Sequence, residues 1–216
     1  MSKLDSWEAR FEVKVRSTCE GADPAHDLAH FRRVVTNAKR LAAAEGARPE
    51  VVVPAAWLHD FVIIPKDSPQ RAEASRIAAD AAVRWLAEIG YPAATHPAIH
   101  HAIHAHSFSA RVATDVIEAK VVQDADRLDA IGAVGIARCM MLGGAFGRPL
   151  YDDVEPFPRE RVPDDLRSTI DHFFTKLLRL EATMQTAAGR AEARRRTEFL
   201  HRYLEELGTE IGIEYR

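Results

Sequence analysis

The sequence predicts a single all-α domain made of many helices. Apolar residues recur at helical spacing through nearly every segment, whereas period-two runs are few and the hairpin dipeptides Asn-Gly and Asp-Gly are absent. The 216 residues are 47% hydrophobic and 28% charged, with only 11 Gly and 11 Pro, which excludes a disordered or collagen-like chain. Because no repeat or linker divides the chain, we expect one domain over residues 1–216.

Start and stop signals divide the first part of the chain into helices. An amphipathic helix is predicted over residues 3–20. Asp23-Pro24 begins a second helix, since Asp can cap and Pro fits the first helical position, and Gly46 ends it. Pro54 opens a short apolar helix that runs into His59-Asp60.

The middle of the chain continues the helical pattern. An Ala-rich helix is predicted over residues 71–88, and a short histidine-rich helix over residues 97–106. Thr114 is expected to cap the next helix, which continues across a weak interruption at Gly132 as far as Leu142.

A Gly- and Pro-rich segment separates these helices from the C-terminal part of the chain. Residues 145–163 are too long for an ordinary connection, and segments of this kind often act as lids. Two long helices are predicted to follow, over residues 165–186 and 188–207.

The overall charge argues against a nucleic-acid partner. The net charge is −3, without the basic excess that phosphate binding usually requires. No apolar stretch is long enough for a membrane span, and the N-terminus lacks the apolar core of a secretory signal. With only Cys19 and Cys139, 120 residues apart, there is no disulfide framework. We therefore expect a cytoplasmic protein that binds neither nucleic acid nor membrane.

Ligand-type residues recur in apolar surroundings. Eight of the ten histidines fall between residues 26 and 106, and His59-Asp60 ends an apolar run. Asp126 also lies in a mainly apolar helix, and His30 lies in an earlier helix. A buried carboxylate needs a cation or donors, and two imidazoles with two carboxylates suit Mn, Fe, Co, Ni or Zn. The spacing alone leaves a second interpretation open, in which the histidines are core residues and Asp60 accepts from a backbone amide.

Three motifs in order carry a family resemblance. His30-x-x-Arg33-Val34, then His59-Asp60, then the run Glu118 to Gly132 (EAKVVQDADRLDAIG) resemble the H…HD…D pattern of the HD-domain metal-dependent phosphohydrolases. His26-Asp27-x-x-His30 and the segment 105–109 (AHSFS) are similar to its YpgQ/YedJ-like branch, which includes nucleoside triphosphate pyrophosphohydrolases. The likeness covers about residues 20–185, which we take as the core of an HD domain with an N-terminal helix and a C-terminal helical extension.

The resemblance implies a site and a reaction. His30, His59, Asp60 and Asp126 would hold one divalent metal ion (Mn, Mg, Ni, Co, Fe or Zn). The reaction would be hydrolysis of a nucleotide phosphoester or phosphoanhydride, releasing pyrophosphate from a nucleoside triphosphate. Asp60 and His106 are the expected catalytic residues.

Substrate would be bound by cations and by one more histidine, for which we name Lys66, Arg76 and His26. The expected partner is a small-molecule nucleotide, and a homodimer stays open. The alternatives are an HD-type nucleotidase or phosphodiesterase, or a non-catalytic nucleotide-binding helical regulator.

The chain departs from two neighbouring branches of the family. Alarmone hydrolases carry an acidic pair soon after the HD dipeptide, where this chain has the apolar residues 61–64. They also have Asn where this chain has Ala130. Two-metal HD phosphodiesterases add two histidines, of which His106 matches only the second. One metal is therefore expected, with His101 leaving a second open.

Overall fold

The protein is all-helical in a computed structural model that describes residues 3–18, 27–62, 64, 68, 70–107 and 112–215, with Arg71 described by its backbone alone. The α-helices in these ranges are α1 (Lys3–Thr18), α2 (Leu28–Glu45), α3 (Pro49–Leu58), α4 (Ala74–Glu88), α5 (His96–His106), α6 (Ile117–Asp129), α7 (Gly132–Ala145), α8 (Asp171–Thr175) and α9 (Ala187–Ile211). Short 3-10 helices cover Arg71–Glu73, Ala93–Thr95, Leu177–Arg179 and Glu181–Thr183. No strand occurs in the described ranges, so the all-α prediction is confirmed.

The chain divides into two compact units. The first is Met1–Asp126 with Gln185–Gly189, and the second is Arg127–Met184 with Arg190–Arg216. The expectation of one domain over the whole chain therefore stays a prediction. Over the part of the chain that the structure covers, no single helix is long and apolar enough to cross a membrane, and only the bent pair α6 and α7 reaches the required length and composition when both are counted.

Helix α3 lies at the centre of the first unit, packed against α1, α2 and α5. All of residues 51–58 are buried, which explains why this segment is apolar on every side. Helix α2 beside it ends at Gly46 as predicted, but it begins at Leu28 with Asp27 as its cap, and the predicted start at Asp23-Pro24 lies outside the described residues. The Asp27 side chain caps its first turn by accepting from the amide of His30, and Gly46 ends it in the left-handed conformation, at φ 68°.

The start of α3 corrects the sequence prediction. The helix begins at Pro49, and Pro54 lies in its interior. A proline there has no amide to bond the carbonyl four residues earlier, which belongs to Glu50. The hydroxyl of Tyr91 donates to that carbonyl at 2.7 Å. A side chain 41 residues away thus replaces the missing helical bond.

Helix α1 packs on the rest of this unit through aromatic rings and through the partly buried carboxylate of Glu8. Trp7 and Phe11 both contact the ring of Tyr91, with centroids 5.2 and 5.6 Å apart. Glu8 accepts from the indole of Trp57 and pairs with Lys39, which ties α1 to α3 and α2. The predicted first helix is confirmed as far as Thr18, because residues 19–20 lie outside the described ranges.

Helix α6 starts later than predicted. It begins at Ile117, so Thr114 is not its cap. The Thr114 hydroxyl instead accepts from the amide of Val116 and lies 2.9 Å from Nε2 of His101. The interruption at Gly132 is also stronger than predicted, since that residue adopts φ 79° and opens a separate helix that continues to Ala145.

In the second unit, the prediction of one long helix over residues 165–186 is wrong. Only Asp171–Thr175 is α-helical there. The buried carboxylate of Asp171 accepts from the Arg161 guanidinium, the Asp164 amide and the Ser168 hydroxyl. These bonds hold the preceding backbone in a turn, which competes with helix formation. The irregular segment predicted before it is confirmed, and α9 extends the last predicted helix to Ile211.

Candidate metal centre

The four ligand candidates converge in the first unit from three helices. His30 lies on α2, His59 caps the end of α3 and is followed by Asp60, and Asp126 lies on α6. His30 Nε2 is 3.3 Å from His59 Nε2. Asp126 Oδ1 is 3.7 Å from His30 Nε2 and 3.8 Å from His59 Nε2. His59 Nε2 is also 3.7 Å from Asp60 Oδ2.

Local structure sets the direction of His59. Its Nδ1 lies 2.8 Å from the carbonyl oxygen of Ala56 in the last turn of α3. A carbonyl only accepts, so Nδ1 carries the proton and donates, and the lone pair of Nε2 faces His30 and the carboxylates. The imidazole is completely buried. Burial lowers the pKa of His59 below its ordinary value, which favours the neutral, ligating form.

The two carboxylates carry the negative charge of the candidate centre and form its solvent-exposed side. The side chains of Asp60 and Asp126 are each 32% exposed, whereas His30 and His59 are buried. Burial works to raise the pKa of Asp126, but the charges of His59, His30 and His106 hold it below its usual range. Both carboxylates therefore face solvent on one side and imidazoles on the other.

The donor set fits a divalent metal ion. One ligand atom each from His30, His59 and Asp60 lies within 4.8 Å of the other two, and Asp126 Oδ1 lies beside both imidazole nitrogens. Ligand bonds of 2.0–2.6 Å place donors at such separations around one ion (roughly 3–4 Å apart). The imidazole nitrogens and the carboxylate oxygens are donors that such an ion takes.

His106 lies next to this group at the end of α5. Its Nε2 is 3.6 Å from Asp60 Oδ1, and its Nδ1 is 2.5 Å from the carbonyl oxygen of Ile103. The ring also packs edge-on against His59, with centroids 5.1 Å apart. Burial opposes protonation of His106, but its hydrogen bond to Asp60 and the nearby negative charges raise the pKa above its ordinary value.

Of the three predicted substrate-binding residues, the structure describes only Arg76. His26 and Lys66 lie outside the described residues. Arg76 is half-exposed in the first turn of α4, where it pairs with Glu73 and Asp80. Its charge is therefore already engaged by two carboxylates.

Three further histidines of α5 are half-buried, namely His96, His100 and His104. Nε2 of His96 lies 3.1 Å from the carbonyl of Tyr91, and that of His100 lies 2.8 Å from Asp80 Oδ1. His96 and His100 therefore tie α5 to the segments beside it.

Known proteins share the segments that carry these residues. The family model described as HD domain matches residues 27–131, which include all four ligand candidates and His106. The chain is also 35% identical over 205 residues to the uncharacterized protein YpgQ of Bacillus subtilis, covering 93% of this chain and 92% of that one. The chain belongs to the HD domain family. The resemblance to the YpgQ-like branch is thereby confirmed.

Solved structures of HD proteins extend this likeness across the chain. A crystal structure of Bacillus subtilis YpgQ in complex with ADP matches at a TM-score of 0.72 and 34% identity, covering 94% of this HD protein and 97% of that chain. A crystal structure of an HD-superfamily hydrolase from Bacillus thuringiensis matches at a TM-score of 0.75 and 31% identity, covering 96% and 98%.

Proposed function

We propose that this HD protein is a metal-dependent hydrolase of nucleotide phosphoanhydrides that releases pyrophosphate from nucleoside triphosphates. The observation that carries the proposal is the convergence of His30, His59, Asp60 and Asp126 on one point. The nucleotide part is supported by the ADP complex of YpgQ, at 34% identity over nearly the whole chain. The release of pyrophosphate rests on the family resemblance.

The four residues named above would hold the ion. A divalent ion bound there lowers the pKa of a water and polarises a phosphoryl oxygen. The two histidines are buried and the two carboxylates partly exposed, so substrate reaches the site from the carboxylate side. His106 acts as the proton carrier at Nε2, the nitrogen that faces Asp60.

Binding of the phosphate tail is assigned to Lys66, Arg76 and His26. A triphosphate carries several negative charges, and cations near the metal balance those that the ion does not reach. Arg76 would have to exchange its pairs with Glu73 and Asp80 for phosphate oxygens, and its side chain, 48% exposed, is accessible to such a ligand.

The test compares two aspartate variants of the full chain. The protein is loaded with Mn²⁺ and supplied with nucleoside tri-, di- and monophosphates, while phosphate and pyrophosphate release are both measured. Asp60→Asn should lose more than about 100-fold in activity, since even residues that only support a ligand cost 10–100-fold. Asp153→Asn, the same change at an exposed aspartate of the second unit, should keep full activity.

Three outcomes would overturn the proposal. Phosphate release from monophosphates without turnover of triphosphates would identify a nucleotidase. Nucleotide binding without turnover of any substrate would identify a regulator. Full activity of Asp60→Asn, in a protein whose circular dichroism is unchanged, would show that this centre does not carry the reaction.

A further inference from the structure

Gln123 is a buried amide on the same face of α6 as Asp126. It precedes that aspartate by three residues, which is about one helical turn, and only 6% of its surface is exposed. Its side-chain Nε2 donates to the carbonyl oxygen of Ala105 at 3.0 Å. Ala105 is the residue immediately before His106. One hydrogen bond therefore joins the helix that carries Asp126 to the end of the helix that carries His106.

The carbonyl that Gln123 reaches needs a partner. Helix α5 ends at His106, so no amide within the helix lies one turn beyond Ala105. Two side chains occupy the last carbonyls of this helix. His106 Nδ1 bonds the carbonyl of Ile103, and Gln123 bonds that of Ala105. Gln123 thus bonds the peptide carbonyl immediately before His106.

The other half of the amide has no partner in the described structure. Gln123 Oε1 is buried and makes no hydrogen bond there. Exchanging the amide oxygen and nitrogen would set two oxygens against each other at Ala105, so the donor must face that carbonyl. An unsatisfied buried acceptor is unfavourable, whereas an apolar side chain of the same size would leave the carbonyl of Ala105 without this donor. Glutamine at this position therefore satisfies one buried acceptor and leaves another unsatisfied.

We propose that Gln123 is a positioning residue for His106. Its amide ties α6 to the last turn of α5 and so keeps His106 Nε2 directed at Asp60, 3.6 Å away. Gln123 is not one of the four ligand candidates. Its removal should therefore move the His106 imidazole and leave the metal ligands in place.

The experiment uses Gln123→Met in the full chain, because methionine has a similar volume and no donor. Histidine ring nitrogen shifts are recorded by 15N NMR of the metal-free protein, and Mn²⁺ affinity is measured by calorimetry. We expect the His106 nitrogens to shift, those of His30 and His59 to stay, and Mn²⁺ affinity to be unchanged. The kinetic readout rests on the proposed function: kcat should fall about 10-fold with KM unchanged.

A matched control and two contrary results decide the outcome. Thr197→Val also removes a buried side-chain oxygen without a hydrogen-bond partner, and it should change none of these quantities. Unshifted His106 nitrogens in Gln123→Met would overturn the inference, whatever reaction the protein catalyses. Loss of Mn²⁺ affinity would overturn it too, by showing that Gln123 supports the ligands themselves. Should Gln123→Met not fold, Gln123→Asn is one methylene too short to reach Ala105 and gives the same readouts.

Discussion

Replacing Tyr91 by Phe tests how α3 accommodates a proline in its interior. The substitution removes only the hydroxyl that donates to the Glu50 carbonyl at 2.7 Å, and it keeps the ring that packs on Trp7 and Phe11. Burial raises the pKa of Tyr91 to about 12, so the hydroxyl remains a donor throughout the neutral range. The free energy of unfolding should therefore change through this one bond.

The size of the effect follows from what the carbonyl loses. A net hydrogen bond contributes about 0.5–1.5 kcal/mol, and a buried acceptor left without a partner costs about 1–3 kcal/mol. Because the bond is only partly buried, we expect Tyr91→Phe to cost about 1–2 kcal/mol. In a Pro54→Ala background the restored amide satisfies Glu50, and the cost should fall by about 1 kcal/mol.

The coupling between the two positions is measured with four proteins: the parent chain, Tyr91→Phe, Pro54→Ala and the double variant. Each is unfolded in urea and followed by circular dichroism. The slope of unfolding free energy against urea must stay constant for the comparison to hold. Strict additivity of Tyr91→Phe and Pro54→Ala would refute the reasoning, since it would mean that the hydroxyl does not substitute for the missing amide.

Two further changes test buried carboxylates. Burial tends to raise the pKa of Asp171, but Arg161, the Asp164 amide and the Ser168 hydroxyl hold it below its usual range. The ionised carboxylate therefore stabilises the fold above about pH 4, and this stabilisation is lost as pH falls through the lowered pKa. Asp171→Asn should cost about 3–5 kcal/mol of unfolding free energy at pH 7. It should also weaken the fall of unfolding free energy at acid pH, as measured by urea unfolding. An unchanged acid dependence would contradict this. A methyl group on Gly189 would lie 2.2 Å from Asp124 Oδ2, so Gly189→Ala should cost about 1–3 kcal/mol in unfolding free energy. Gly144 has open space around it, so the control Gly144→Ala should instead gain up to about 1 kcal/mol. Equal thermal midpoints for the two alanine variants would count against the placement of Asp124.

The helices were largely predictable because their causes are local. Apolar spacing and the left-handed Gly46 act within one or two turns of chain, so they can be read in sequence order. The same holds for the candidate metal ligands. Asp60 and Asp126 stand out as carboxylates in apolar runs, which predicts either a cation or hydrogen-bond donors beside them, and the family resemblance favours the cation.

The errors arise where a distant side chain overrides the local pattern. Pro54 reads as a helix start, yet Tyr91 satisfies the carbonyl that it releases. Residues 165–186 read as one helix, yet Asp171 collects donors from Arg161 and Ser168 and holds a turn. In both cases a hydrogen bond between parts of the chain separated in sequence replaces the bond expected four residues away.

The sequence by itself determined the helical class, some of the helix bounds and the types of residue that form the candidate centre. Only the tertiary structure decided that His30, His59, Asp60 and Asp126 meet, that the lone pair of His59 Nε2 faces that meeting point, and that Gln123 spans to the end of α5. Helical periodicity depends on neighbours three and four residues apart. The distance between two helices depends on how all of their buried side chains fill the space between them, which no local pattern records.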